Sequence, residues 1–224
     1  MAIGNMGSAA VPALVAVLKN GKSEPVVAKA AASALGLIGD KRAVTALIDS
    51  LFLGRMPKCS MSEVLSRSPT THDKLPAVNC LLKVRERLSR FGPVRAASVR
   101  ALGKIGGPRA IKAIIYAGLN DLSHTVVLAA AETLKSVRGR ENIAVLIDGL
   151  DRVRGAYTWL RQRTLPEDVG CNPPEFYTRD DIKQMQVSII DALTSITNQR
   201  FGTSVEQWRV WWKRNKARIL KTGD

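Results

Sequence analysis

The stretch Ala34-Leu-Gly-Leu-Ile-Gly-Asp-Lys-Arg-Ala-Val-Thr-Ala-Leu-Ile-Asp-Ser-Leu51 recurs within the chain. A near copy runs Ala101-Leu-Gly-Lys-Ile-Gly-Gly-Pro-Arg-Ala-Ile-Lys-Ala-Ile-Ile115, and a weaker one spans Thr133 to Leu150. Ile3-Gly-Asn-Met-Gly-Ser-Ala-Ala-Val-Pro-Ala-Leu14 is the same pattern entered halfway, and a divergent copy opens at Ala192-Leu-Thr-Ser-Ile-Thr197. Self-similarity at a fixed period marks a repeat architecture. Ile3, Leu35, Leu102, Leu134 and Leu193 are equivalent. Leu35 follows Ile3 by 32 residues and Leu134 follows Leu102 by 32, whereas the other two intervals are 35 and 27 residues longer. The chain therefore reads as about five repeats with two insertions, at residues 52–92 and 151–181.

Each repeat reads as two helices. The first is alanine-rich: Val26 to Leu37, Val94 to Ile105, Thr125 to Val137, Ile182 to Ile196. Val27, Ala31, Ala34, Leu35 and Ile38 recur at steps of three and four, which gives one buried face. Gly36 and Gly39 are expected to end the first helix, since glycine accepts the left-handed conformation of a C-terminal cap. Asp40 is placed to cap the second helix, Lys41 to Leu51, and Pro108 suits the first turn of its counterpart. One such hairpin cannot bury both faces alone, and stacked copies solve this as a solenoid.

Composition agrees. The chain has 224 residues, 46% hydrophobic but only 5% aromatic, so its core must be aliphatic and closely packed helix on helix. Lys and Arg number 34 against 19 Asp and Glu, a formal net charge of +15. No stretch of 18 uncharged apolar residues exists, so no membrane span is expected. Cys59, Cys80 and Cys171 form no dense framework, which favours free thiols in a reducing cytoplasm, with a Cys59–Cys80 disulfide in an exported parent as the lesser reading.

The Ala-Leu-Gly-x-Ile-Gly-Asp core and the Val94-Arg-Ala-Ala97 helix opening resemble HEAT repeats of the short bacterial, phycobilin-lyase-like kind. The resemblance covers about two thirds of the chain, outside the insertions. It implies an all-α, right-handed solenoid of about five HEAT-like helical hairpins, one domain over 1–224, with two insertions on one edge. Such repeats serve scaffolds, adaptors and nucleic-acid binders, and a minority of enzymes. The first repeat lacks its leading helix, so the chain is either a piece of a longer protein or its apolar edge is covered by a partner. The C-terminal element, about residues 198–220, resembles the closing cap of bacterial HEAT proteins: Trp208, Trp211 and Trp212 share a face, Asn198 stands where glycine is expected, and Thr203-Ser-Val-Glu206 has capping-box spacing.

Both insertions leave after a second helix, so equivalent points should line up on one edge, on the order of 20 Å apart. The first holds eight basic and three acidic residues, with an amphipathic helix from Pro76 to Arg90 that turns Lys83, Arg87 and Arg90 outward and borders its apolar face with Arg85. The second carries Tyr157, Trp159, Phe176 and Tyr177, four of the chain's eleven aromatics, with Arg152, Arg154, Arg161 and Arg163. Inserted segments often carry binding in repeat arrays.

Motifs for chemistry are weak. Ala16-Val-Leu-Lys-Asn-Gly-Lys-Ser23 fits a loose phosphate-loop pattern, but its first half belongs to a helix rather than to a strand-to-loop junction. Cys59, His72, Cys80 and Cys171 lack the close ligand pairs zinc prefers. Asp148 with Trp159 is the one imaginable seed of a HEAT-like glycosylase, without a motif. His124 follows Ser123, a natural N-cap, and reads as a first-turn residue. No catalytic residue, metal or cofactor is expected.

The expected role is a non-catalytic binding scaffold or accessory subunit for a protein partner. In HEAT-like solenoids second helices line the concave side, so the resemblance implies partner contacts at Arg42, Thr45, Asp49, Arg109, Lys112 and Tyr116. Tyr157, Trp159, Arg161 and Arg163 would add contacts from the insertions. The alternative is an electrostatic nucleic-acid binder using Lys83, Arg85, Arg87, Arg90, Arg209, Lys213 and Arg214. A bilin-lyase-like enzyme is a minor reading that rests on the resemblance alone.

Overall fold

The computed structural model describes residues 2–20, 23–53, 74–162 and 177–221, with side chains left out at 2–6, 74–85, 87–88 and 156–162. Nine α-helices and no strand occur among the described residues: α1 Ala2–Lys19, α2 Pro25–Ile38, α3 Val44–Ser50, α4 Lys74–Ile105, α5 Pro108–Ala113, α6 His124–Val137, α7 Ile143–Gln162, α8 Arg179–Thr197 and α9 Val205–Lys221. The first helices α2, α4, α6 and α8 stack in one row. The second helices α3, α5 and α7 follow on the other side, with α1 at one end of their layer and α9 against α7 at the other. This two-layer arrangement is an all-α solenoid.

Repeat equivalence explains the core. Leu35, Leu102, Leu134 and Leu193 are all fully buried, as are Leu47, Ile114 and Leu146 one helix later. Asp40 caps the 3-10 turn Lys41–Ala43 that leads into α3, its Oδ1 accepting from Arg42 N at 2.8 Å, so the α-helix itself starts at Val44 rather than Lys41. Gly39 ends α2 with φ 73°, and Asn198 ends α8 with φ 57°, where a short polar side chain tolerates the left-handed region.

Gly36 has a different task from the one its sequence position suggests. It lies inside α2 and does not terminate it. A Cβ there would fall 2.7 Å from Ala101 Cα on α4. The equivalent Gly103 of α4 faces Thr133 of α6, with a Cβ position 2.1 Å from its Cγ2. The missing side chains let successive first helices approach closely. At the next step Lys135 replaces glycine, and its Nζ donates to Asp191 at 2.5 Å.

Three expected breaks are absent. Residues 3–7 continue straight through α1, which runs across Pro12. The helix of the first insertion does not stop at Gly92: α4 passes through Pro93 as one 32-residue element. Gly92 is there for proximity, since a Cβ would meet Ser123 Oγ at 2.8 Å. The second insertion likewise begins as a continuation of α7 to Gln162. At the C-terminus Ser204, not Thr203, precedes the helix and accepts from Gln207 N at 3.4 Å, while Glu206 turns to Arg154.

Trp208 anchors α9. It is fully buried, donates from Nε1 to Gly202 O at 2.9 Å and meets Phe201 edge-on with ring centroids 4.9 Å apart. Trp211 and Trp212 are half-buried against the same core.

Candidate functional site

The second helices present two adjoining grooves that meet at Tyr116. One, of about 280 Å³, is lined by Ile48 and Phe52 from the α3 end and by Arg109, Lys112, Tyr116 and Ala117 from α5 and its continuation. The other, of about 420 Å³, runs from Tyr116 and Asn120 to Asp148, Asp151 and Arg152 on α7 and Arg209 on α9.

Local structure sets Tyr116 apart. After Ala113 the helix widens into a π-turn, Ile114–Gly118, a feature frequent at functional sites. The turn has a packing cause: Ile114 stays buried, and Gly118 passes so close to α6 that a Cβ would meet Ala130 Cβ at 2.9 Å. Tyr116 is left 69% exposed on the groove rim, beside Phe52 at 54%. Two of the chain's few aromatics thus face solvent rather than the core.

The two grooves differ in charge. Arg109 and Lys112 make the first one cationic. In the second, Arg209 bridges Asp151 at 2.9 Å and Asp148 at 3.6 Å, so cation and carboxylates alternate across α7 and α9. A neighbouring pair locks α9 in place: Arg154 donates to Glu206 at 3.0 Å, and this contact raises the guanidinium pKa and lowers that of the carboxyl.

The roots of the two insertions are joined by a buried ion pair. Arg95 Nε and Nη2 each donate to Asp121 at 2.9 Å. Arg95 Nη1 also donates to the carbonyl of Leu53, where the first insertion leaves, at 2.7 Å. Tyr177, where the second insertion returns, donates from its hydroxyl to Asp121 O at 2.8 Å. Burial, then the Asp121 charge, pushes the Tyr177 phenol well above its usual range. Leu53 and Tyr177, flanking the two insertions, therefore converge on one ion pair.

Of the residues expected to bind a partner, Arg109, Lys112 and Tyr116 come together. Arg42 does not join them: its guanidinium is held by Asp40 at 2.7 Å and by Ser8 O at 3.0 Å. The same contacts hold the Asp40 pKa down at about 2. Thr45 and Asp49 are exposed but lie outside both grooves. Tyr157, Trp159 and Arg161 lie on α7, and Lys83, Arg85 and Arg87 on α4, at positions whose side chains are left out; Arg163, Cys59, His72 and Cys171 fall outside the described residues. Arg90 is exposed, 3.8 Å from Glu24. Lys213 and Arg214 are exposed on α9, whereas Arg209 is engaged with Asp148 and Asp151.

Sequence reasoning missed Phe52 and the Arg95–Asp121 pair. Phe52 is the first residue of the segment that the repeat spacing marks as an insertion. Arg95 carried a signal, since its equivalents Ala28 and Val127 are apolar. No group of three or more metal-ligating side chains occurs among the described residues, and no helix among them is long and apolar enough to cross a membrane.

Comparison with known families agrees with this architecture. Residues 1–52 match the model of HEAT repeats, and residues 94–115 match the PBS lyase HEAT-like repeat. No curated protein matches the chain. Two matching segments, repeat-equivalent buried leucines and a two-layer helical stack show that the chain carries HEAT repeats, with one of the PBS lyase HEAT-like type at residues 94–115.

Proposed function

We propose that this protein is a non-catalytic scaffold or accessory subunit that recognises a protein partner through the second-helix grooves around Tyr116, with the insertion edge beside them. The observation that carries the reading is the exposed Tyr116 on its π-turn, where an apolar cationic groove and a mixed-charge groove meet. Aromatic and arginine anchors in such settings supply most of the energy of protein interfaces. The alternating charges of Arg109, Lys112, Asp148, Asp151, Arg152 and Arg209 suit a folded surface or peptide with its own pattern, and fit a uniform phosphate track poorly. HEAT repeats are in general non-enzymatic, which supports the same reading.

The test is a photo-reactive amino acid placed at Tyr116, with Lys104 on the outer side of α4 as the control position. Irradiation in cells of the natural source is expected to give a discrete protein adduct from position 116 and none from 104. Adducts equal at both positions, or a nucleic-acid adduct alone, contradict the proposal.

The second reading, nucleic-acid binding, is favoured by one specific observation. Lys213, Arg214 and Lys216 are exposed on α9 and form no ion pair among the described residues. That reading requires affinity for nucleic acid that falls steeply with salt. A bilin-lyase-like activity is a minor alternative that rests on the family match.

A further inference from the structure

The groove of about 280 Å³ beside Tyr116 has a floor of one chemistry and a wall of another. Ile48 and Phe52 on one side and Ala113 and Ala117 on the other make the floor apolar, with room for one large apolar side chain. Arg109 and Lys112 stand on the wall, three residues apart on one face of α5, and Tyr116 follows a turn later. Both cations are exposed and form no ion pair among the described residues.

That freedom is particular to this repeat. Arg109 is the equivalent of Arg42, as Leu102 is of Leu35. Arg42 is held by Asp40 at 2.7 Å. The equivalent of Asp40 is Gly107, so the carboxylate that engages the earlier arginine is missing beside Arg109. Lys112 adds a second cation where the neighbouring repeats carry Thr45 and Ala144. Elsewhere in this layer, Arg154 meets Glu206 at 3.0 Å and Arg209 meets Asp151 at 2.9 Å. Those arginines have their counter-charge within the chain. The two cations beside the apolar floor do not find theirs among the described residues.

Such a wall and floor are complemented by carboxylates next to an apolar anchor. A nucleic acid needs several cations along one surface, and beyond Tyr116 the face turns to Asp148 and Asp151.

We infer that the groove takes an acidic peptide segment of the partner. One large apolar side chain sits between Phe52 and Tyr116, and neighbouring Asp or Glu side chains pair with Arg109 and Lys112. The inference rests on the protein-binding role proposed above and adds the chemistry of what is bound. Salt weakens the ion pairs but leaves the apolar anchor in place.

The experiment is selection of a phage library of random dodecapeptides on the immobilised full chain at physiological salt. Fluorescence anisotropy of the enriched peptides, synthesised singly, follows. Enriched sequences are expected to share a large apolar residue with Asp or Glu beside it. Arg109→Glu and Lys112→Glu are each expected to weaken binding at least about tenfold, with unchanged circular dichroism. Lys104→Glu, on the outer side of α4, and the double variant Lys213→Glu, Arg214→Glu on α9 also lower the net charge and are expected to leave binding within about twofold. Should a charge reversal disturb the fold, Lys112→Gln, at an exposed position, decides by a smaller loss in the same direction.

Enriched peptides that are neutral or basic overturn the inference. So do acidic ones that the α9 variant releases and the groove variants do not. If peptides of another chemistry still lose binding in Tyr116→Ala, the groove keeps its protein-binding role and only the acidic partner is wrong. Absence of any enrichment also overturns the inference, and the photo-adduct at position 116 then decides the role by itself.

Discussion

Arg95 and Asp121 form a two-pronged ion pair with both side chains out of solvent, 26 residues apart in sequence and between the roots of two insertions. Burying two charges is costly, and their attraction recovers that cost only when geometry and further hydrogen bonds are good. Here the remaining polar atoms are used: Arg95 reaches the Leu53 carbonyl, and Asp121 Oδ1 accepts from Ser123 N at 2.8 Å. Asp121→Ala leaves a buried guanidinium without its counter-charge and is expected to cost about 3–5 kcal/mol in urea unfolding. The double variant Arg95→Met, Asp121→Leu is expected to recover most of that loss. Equal losses in both variants would mean the pair is not the source of the effect.

The close approach of first helices makes a second prediction. At Gly36 even one methyl meets the backbone of Ala101, which cannot swing aside. Gly36→Ala is expected to destabilise by about 1–3 kcal/mol although alanine favours helix. Gly39→Ala meets no neighbour but must hold φ 73°, at a cost of about 1–2 kcal/mol. Thermal melts distinguish the two, because only the first should disturb packing around Ala101, read as changed amide exchange in α4.

Trp208 anchors α9 on the core, and its removal should be felt beyond that helix. Trp208→Ala is expected to cost about 3–5 kcal/mol. Because α9 packs on α7, amide protection should fall in both helices before it falls in α2. Uniform loss across the solenoid would contradict this local anchoring.

Asp40 gives a pH dependence. Its carboxyl is held at about 2 by the hydrogen bonds and charge of Arg42 and by Ser8. A carboxyl depressed in the folded state stabilises above its unfolded value and loses that contribution as pH falls through its folded one. Stability is therefore expected to decline from about pH 4 toward pH 2, in part through this group. Asp40→Asn should be less stable at neutral pH and show a shallower acid slope, measured by urea midpoints across that range. An unchanged slope would remove Asp40 from the acid response.

Much of this fold was legible because hydrophobic burial repeats with the chain. The 32 residues from Leu102 to Leu134, and the 67 from Leu35 to Leu102 that an insertion lengthens, report directly on a stacked core. Asp40 and Pro108 mark the second helices because caps and proline have local requirements. Breaks were harder to place. Gly92-Pro93 looks like a boundary, but the glycine answers to Ser123, a neighbour remote in sequence, and the helix continues. The π-turn at Ile114–Gly118 is set by packing against α6, which no local pattern encodes. Arg109, Lys112 and Tyr116 could be aligned in advance, whereas the detention of Arg42 by Asp40 could be seen only with both side chains placed. The Arg95–Asp121 pair depends on a contact between repeats, and its one local trace is an arginine where other repeats carry alanine or valine.

Recognition of a protein partner through the second-helix face is the proposed function. Its most direct test is amide hydrogen exchange on the complex isolated from the natural source, compared with the free chain. Protection is expected over residues 108–118 and 143–152 in the presence of a bound protein, with the exposed side of α6 unchanged. Protection confined to residues 205–221, with nucleic acid as the bound species, would contradict it.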